Sequence, residues 1–114
     1  MLNRIALVGR LTRDPEMKYT PVNGTAVTNF TLAVDRDFKQ DGQQTADFIN
    51  IIVWKQQAEF CAKYLIKGRM VSIDGRLQIR NYEDKEGQRR TIAEVVADRV
   101  VPLDSKGGRE PGED

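Results

Sequence analysis

A chain of 114 residues, 39% hydrophobic and 31% charged, has the size and composition of one soluble globular domain with its own core, and not of two. Its formal net charge of +1 lacks the strong basic excess of a protein that reads double-stranded DNA. There is no histidine, which excludes imidazole general bases, catalytic triads and imidazole metal sites, and the single cysteine, Cys61, allows neither an internal disulfide nor a zinc site.

No apolar run approaches the ~18–20 residues that cross a bilayer. The start, MLNRIALVGR, lacks the basic region and apolar core of a secretory signal, so a reducing, cytoplasmic setting is expected. Charge is unevenly spread. Residues 104–114, DSKGGREPGED, carry four acids and two bases, a net of −2, which leaves residues 1–103 at +3. This segment is rich in Gly and Pro and has no apolar residue, so it is expected to be a disordered tail behind a domain spanning 1–103.

In chain order, Asn3–Arg13 alternates. Ile5, Leu7, Gly9 and Leu11 oppose Arg4, Ala6, Val8 and Arg10, the period of a strand. Gly9 interrupts the apolar side and marks a bulge or bend. Asp14-Pro15 ends regular pairing. Glu16–Thr20 is a short extended return, and Pro21–Gly24 a turn closing on Asn-Gly. Thr25–Phe38 is the longest strand candidate, with Phe30, Leu32 and Val34 on its core side. The polar loop Lys39–Thr45 follows.

Ala46–Lys55 is apolar on both faces, with Ile49, Ile51 and Val53 in one row and Phe48, Asn50, Ile52 and Trp54 in the other. Two arrangements fit: a central strand buried on both sides, or a strand whose second row is a binding surface. Gln56–Lys67 changes period. Ala58, Cys61, Ala62 and Leu65 fall at helical spacing, and Gly68 is a natural stop. Cys61 reads as a packing residue, and Phe60 and Tyr64, spaced i and i+4, as a ring pair.

The stretch Lys67–Tyr82, KGRMVSIDGRLQIRNY, returns to period two. Val71, Ile73, Gly75, Leu77 and Ile79 form an expected core face. Ser72, Asp74, Arg76, Gln78, Arg80 and Tyr82 form a wet one. Guanidinium forks suit phosphates, and an exposed ring offers a flat surface to a base, so the wet face is either a platform for single-stranded nucleic acid or a solvated face that binds nothing. Glu83–Arg90 is a charged hairpin loop turning at Glu86-Gly87; Arg89 and Arg90 fit either a phosphate contact or a soluble flank. Thr91–Val101 is the last strand, with Ile92, Val96 and Val100 on one side and Ala93, Val95 and Val101 on the other.

The fold expected from this order is all-β: a five-stranded OB-fold barrel with one helix between strands 3 and 4, an architecture whose second and third strands bind oligonucleotides and oligosaccharides. Clustered carboxylates, a P-loop and metal-ligand spacing are all missing. An enzyme is therefore disfavoured and no cofactor or metal is expected.

Six runs in order, NRIALVGRLTRDPEMKYTP, NFTLAVDR, DFINIIVWKQQAE, YLIKG, VSIDGRLQIRNY and AEVVAD, make residues 1–103 resemble the bacterial single-stranded DNA-binding proteins of the SSB family. The resemblance implies an OB-fold subunit of a homotetramer that binds and protects single-stranded DNA in replication, recombination and repair, cytoplasmic and associated with the nucleoid. It implies stacking rings at Phe38, Phe48, Trp54 and Tyr82, and basic DNA contacts at Arg4, Arg10, Arg76 and Arg80. Better-known relatives often carry tryptophan where this chain has Phe38, Phe48 and Tyr82, which preserves stacking but reduces ring area. Asn50 lies where relatives can carry arginine. The family usually has a long tail ending in acids and a Pro-Phe pair, which recruits replication and repair proteins. This chain ends at Glu113-Asp114, so that recruitment is expected only where a longer tail exists. An RNA-directed OB module and a structural subunit whose rings only make oligomer contacts are the rival readings.

Overall fold

The computed structural model describes residues 1–37 and 45–104. The alternating segments all form strands: β1 (Ile5–Leu11), β2 (Glu16–Tyr19), β3 (Ala26–Asp35), β4 (Ala46–Trp54), β5 (Met70–Glu83) and β6 (Arg89–Pro102), with helix α1 (Lys55–Tyr64) between β4 and β5. The short return expected at Glu16–Thr20 is thus a strand of its own, β2, paired only with β3. The other five close into a ring, β1-β5-β6-β4-β3, completed by pairing between β1 and β3. β4 and β6 run parallel, and every other pair is antiparallel. Closure leaves the barrel few unpaired edges, and the result has the topology of an OB-fold.

Period two determines what faces inward. Phe30 and Leu32 of β3, Ile51 and Val53 of β4, Val71 and Ile73 of β5, and Val95 of β6 are buried in one cluster, with Cys61 and Leu65 from the helical segment. Full burial of side chains this size stabilises by about 1.5–3 kcal/mol each. α1 packs where β4 runs out. Ala58 and Cys61 enter the core, the buried Thr28 hydroxyl donates to the Ala58 carbonyl at 2.8 Å, and the Val100 N–H donates to Gln57 Oε1 at 3.0 Å. Burial pushes the Cys61 thiol up to about 12, so it stays protonated and serves packing. Phe60 and Tyr64 meet with ring centroids 5.1 Å apart, as their spacing implies.

Four expectations need correction. Leu77 and Ile79 are not core residues: they are 43% and 55% exposed. Their parity is right, but β1 pairs with β5 only as far as Ile5↔Gly75. Beyond that point β5 pairs with β6 alone, past Glu94 the two continue as a two-stranded ribbon, and β1 no longer covers their inner face. Val100 does not share a side with Val96. The register runs Asp74↔Arg99 and then Gly75↔Ala97, leaving Asp98 as a bulge that reverses the alternation and sends Val100 into the core beside Val95. The helix ends at Tyr64, capped by Leu65, and not at Lys67. Gly68, at φ 88°, instead turns the chain into β5.

Asp104, expected at the head of the disordered tail, belongs to the fold instead. It is tied to the barrel: the Arg69 guanidinium, 2% exposed, donates through Nε to the Asp104 carbonyl at 2.6 Å and to Oδ1 at 3.2 Å. Desolvation works against the Asp104 carboxylate. The Met70 N–H, Arg10 and Arg69 outweigh it and hold the group below its ordinary range.

Candidate nucleic-acid interface

The sheet register assembles an outer face from residues far apart in sequence. On β4 the even positions Phe48, Asn50, Ile52 and Trp54 point away from the core occupied by Ile51 and Val53. Cross-strand pairing extends this face in rows. Arg10, Ala33 and Phe48 form one row across β1, β3 and β4. Thr31, Asn50, Glu94 and Gln78 form the next across β3, β4, β6 and β5. Asn29, Ile52, Val96 and Arg76 form a third, and Lys18, Val27 and Trp54 a fourth. Tyr82 lies opposite Arg90 on the ribbon beyond.

Phe48 is 58% exposed, Trp54 41% and Tyr82 45%. The arrangement with β4 buried on both sides therefore does not hold; its second row is open to solvent. The rings do not form one cluster. Trp54 stands six residues from Phe48 on the same strand, roughly 20 Å at about 3.3 Å per residue, and Tyr82 stands on a different strand. The only ring-ring contact among the described residues is Phe60–Tyr64. What the face presents is a track of separated aromatic surfaces. Between them lies a groove of about 170 Å³ lined by Asn29, Asn50, Ile52, Arg80, Ile92 and Glu94, with Arg13 at its edge. Phe38 falls outside the described residues.

Each of the four expected arginines faces an acid. Arg80 donates through Nε and Nη2 to Glu94, both at 3.3 Å, and its guanidinium lies 5.8 Å from the Tyr82 ring centroid. Arg10 donates to the Gly68 carbonyl at 2.9 Å and to Asp104 at 3.2 Å. Arg4 is held between Asp98, at 2.8 Å, and Asp74. The bond to Asp98 first, and that to Asp74 second, raise its already high pKa. Arg76 shares Asp98 at 3.7 Å, so Arg4 and Arg76 make one charge cluster at the bulge. The geometry thus brings Arg10 into line with Phe48, and Arg80 beside Tyr82, and links Arg4 to Arg76 at the bulge.

Three cations on or beside this face go unmarked in the sequence reading or are left open there. Lys18 shares a row with Trp54 because β2 pairs with β3, and Arg13 borders the groove. Arg90, opposite Tyr82, is held at 2.8 Å by Asp84. The alternation of Glu16–Tyr19 would have paired Lys18 with Glu16 on one side, had the short return been treated as a strand.

A closed barrel with a helix after its third long strand, bearing rings and guanidinium groups on the outer side of β1, β4 and the β5–β6 pair, defines an OB-fold protein with a surface open to an extended ligand. The model of the single-strand binding protein family matches residues 2–103, and the chain belongs to that family. It is 58% identical over 103 residues to a single-stranded DNA-binding protein of Clostridium tetani (strain Massachusetts / E88), covering 90% of this chain and 71% of that protein. It is 55% identical over 113 residues to a protein of the same name from Halalkalibacterium halodurans, covering 98% and 67%. To single-stranded DNA-binding protein A of Bacillus subtilis (strain 168) it is 56% identical over 109 residues, covering 95% and 63%. Among the described residues no helix is long and apolar enough to cross a membrane.

Proposed function

We propose that this chain binds single-stranded DNA without regard to sequence and protects it during replication, recombination and repair, in the cytoplasm alongside the nucleoid. The observation that carries the mechanism is the exposure of Phe48, Trp54 and Tyr82 on one outer face, flanked by Arg10, Arg76 and Arg80. Every base has a π-face, and a stack on one ring is worth roughly 1–3 kcal/mol, so separated rings grip any sequence. Pairing hides those faces, which sets duplex apart. The guanidinium groups neutralise phosphates, with Arg4 contributing at the bulge cluster and Phe38 as a fourth ring. The activity is binding, with no chemical step.

Titration of Trp54 fluorescence with oligo-dT at two salt concentrations tests this. Quenching is expected on binding, and log K is expected to fall with log[salt] by about 0.7 per phosphate neutralised, so four arginine contacts give a slope near −3. Saturable binding with no salt dependence would remove the arginines from the site. No quenching and no binding would end the reading altogether. Competition by RNA of equal length shows whether the ligand is DNA in particular.

The proposal includes assembly into a homotetramer. Leu77 and Ile79 on one side of β5 are exposed, and Leu77, with Ile5, Leu7, Ile49 and Val95, lines an apolar hollow of about 270 Å³. Uncovered apolar area of this kind marks an interaction surface, and other copies of the chain would cover it. Light scattering is expected to give a mass near four chains for the wild type and a smaller one for Ile79→Asp. An unchanged mass for the variant would take Ile79 out of the interface. Phe48 also borders this hollow, so its loss is expected to be felt in assembly as well as in binding, whereas Trp54 isolates the stacking term.

A further inference from the structure

Glu94 is the anomaly of the outer face. It is a carboxylate on a surface read as binding a polyanion, and it is 2% exposed. The other acids that pair with the face's arginines, Asp74, Asp98 and Asp104, all retain solvent contact. An incoming phosphate can displace those. Glu94 lines the groove but is almost wholly covered, so its bonds to Arg80 are not open to displacement from solvent. A buried charge is tolerated only when it is paired and hydrogen-bonded. Glu94 meets that condition with three donors: Gln78 Nε2 at 3.2 Å and Arg80 Nε at 3.3 Å reach Oε2, and Arg80 Nη2 at 3.3 Å reaches Oε1.

The way the donors are used is informative. Gln78 lies directly opposite Glu94, and Arg80 is its diagonal neighbour on the same face. Arg80 engages the acid through its Nε–Nη2 edge, one hydrogen bond to each oxygen. That two-pronged contact fixes the plane of the guanidinium as well as its position. Nη1 is left out of it, and the Tyr82 ring stands 5.8 Å from the guanidinium carbon. Half of the Arg80 side chain remains exposed while its partner is buried. The result is a cation at the groove with one edge committed to a buried partner and the other outside that contact.

We propose that Glu94 is a positioning residue for strand binding: it orients Arg80 so that the free Nη1 edge meets a phosphate beside the base stacked on Tyr82. The proposal rests on the reading of this face as the single-strand surface. It makes a prediction opposite in sign to that of charge alone. Removing a negative charge beside a phosphate path should tighten binding if only the field matters. Loss of positioning should loosen it, because Arg80 must then be ordered during binding.

The experiment is a double-mutant cycle on the assembled protein, with oligo-dT affinity as the readout at fixed salt. Glu94→Gln in the wild-type background is expected to weaken binding about three- to tenfold, within the range of coupled neighbours. In an Arg80→Ala background the same change is expected to have no effect on affinity. Tighter or unchanged binding by Glu94→Gln overturns the proposal, as does an equal loss in both backgrounds, which would make the effect one of fold alone. Should Glu94→Gln not fold, Glu94→Asp runs the same cycle: it keeps the charge but withdraws it by one methylene, and the same loss, again absent without Arg80, is expected. Failure of the wild type to bind oligo-dT would strike at the functional reading itself, a result distinct from any of these.

Discussion

Trp54→Ala is expected to weaken oligo-dT binding by about 1–3 kcal/mol at fixed salt, some five- to 150-fold in Kd, while leaving the barrel folded. The two halves of this expectation have separate grounds. Trp54 is the last residue of β4, on the row opposite Val53, and 41% of it faces solvent. It serves as N-cap of α1 in extended geometry but makes no side-chain capping bond, so alanine removes no helix cap. Lys55 follows at φ 63°, an uncommon left-handed value for a residue other than glycine. It takes the chain from strand to helix without a loop and leaves the indole on the corner. Lys18, two strands away in the same row, supplies a nearby cation. Removing the indole therefore deletes a flat surface and little of the core. Thermal melting followed by circular dichroism is expected to show a small shift, and titration a large loss. An affinity within twofold of wild type would mean that the strand's path misses Trp54.

How much of this was legible in the residues depends on what each inference needed. Alternation alone separates Phe48 and Trp54 from Ile49, Ile51 and Val53, because side-chain direction in a strand is local. It could not say whether the second row would be covered; that depends on what stands over it. The same gap explains Leu77 and Ile79. Their side is right and their cover is missing, since β1 stops pairing at Gly75. In β6 the local rule itself gives way, because the bulge at Asp98 adds one residue and reverses every side chain after it. The arginine positions read from the resemblance lie on the outer surface, but their acid partners could not be foreseen. Asp98 lies 94 residues from Arg4, and only barrel closure brings the two together. Phe38 is outside the described residues, so its place on the track stands as proposed.

Barrel closure is a point where a single added carbon is expected to do large damage. Gly9→Ala is expected to cost at least about 3 kcal/mol of stability, the upper part of the range for overpacking. Gly9 faces inward on β1 next to the point where β1 crosses to β3, and the pairing there is short, Arg10↔Ala33 and Leu11↔Leu32. A Cβ on Gly9 would lie 2.3 Å from the Ala33 carbonyl oxygen and 2.9 Å from Leu32 Cγ. The first is backbone within β3 and cannot rotate away, so β1 and β3 must separate. Their separation opens the ring, unseats Leu32 from the core and disrupts the row that holds Arg10 in line with Phe48. The effect should thus reach the proposed DNA-binding face as well as the melting curve. Gly24→Ala is the control. Gly24 has φ 65° and nothing within 4 Å of an added Cβ, so only the left-handed backbone penalty applies, about 1–2 kcal/mol. Urea unfolding of the two variants separates the causes. If Gly9→Ala proves no worse than Gly24→Ala, the close approach of β1 to β3 is not what requires glycine, and the strands have room that the barrel geometry denies them.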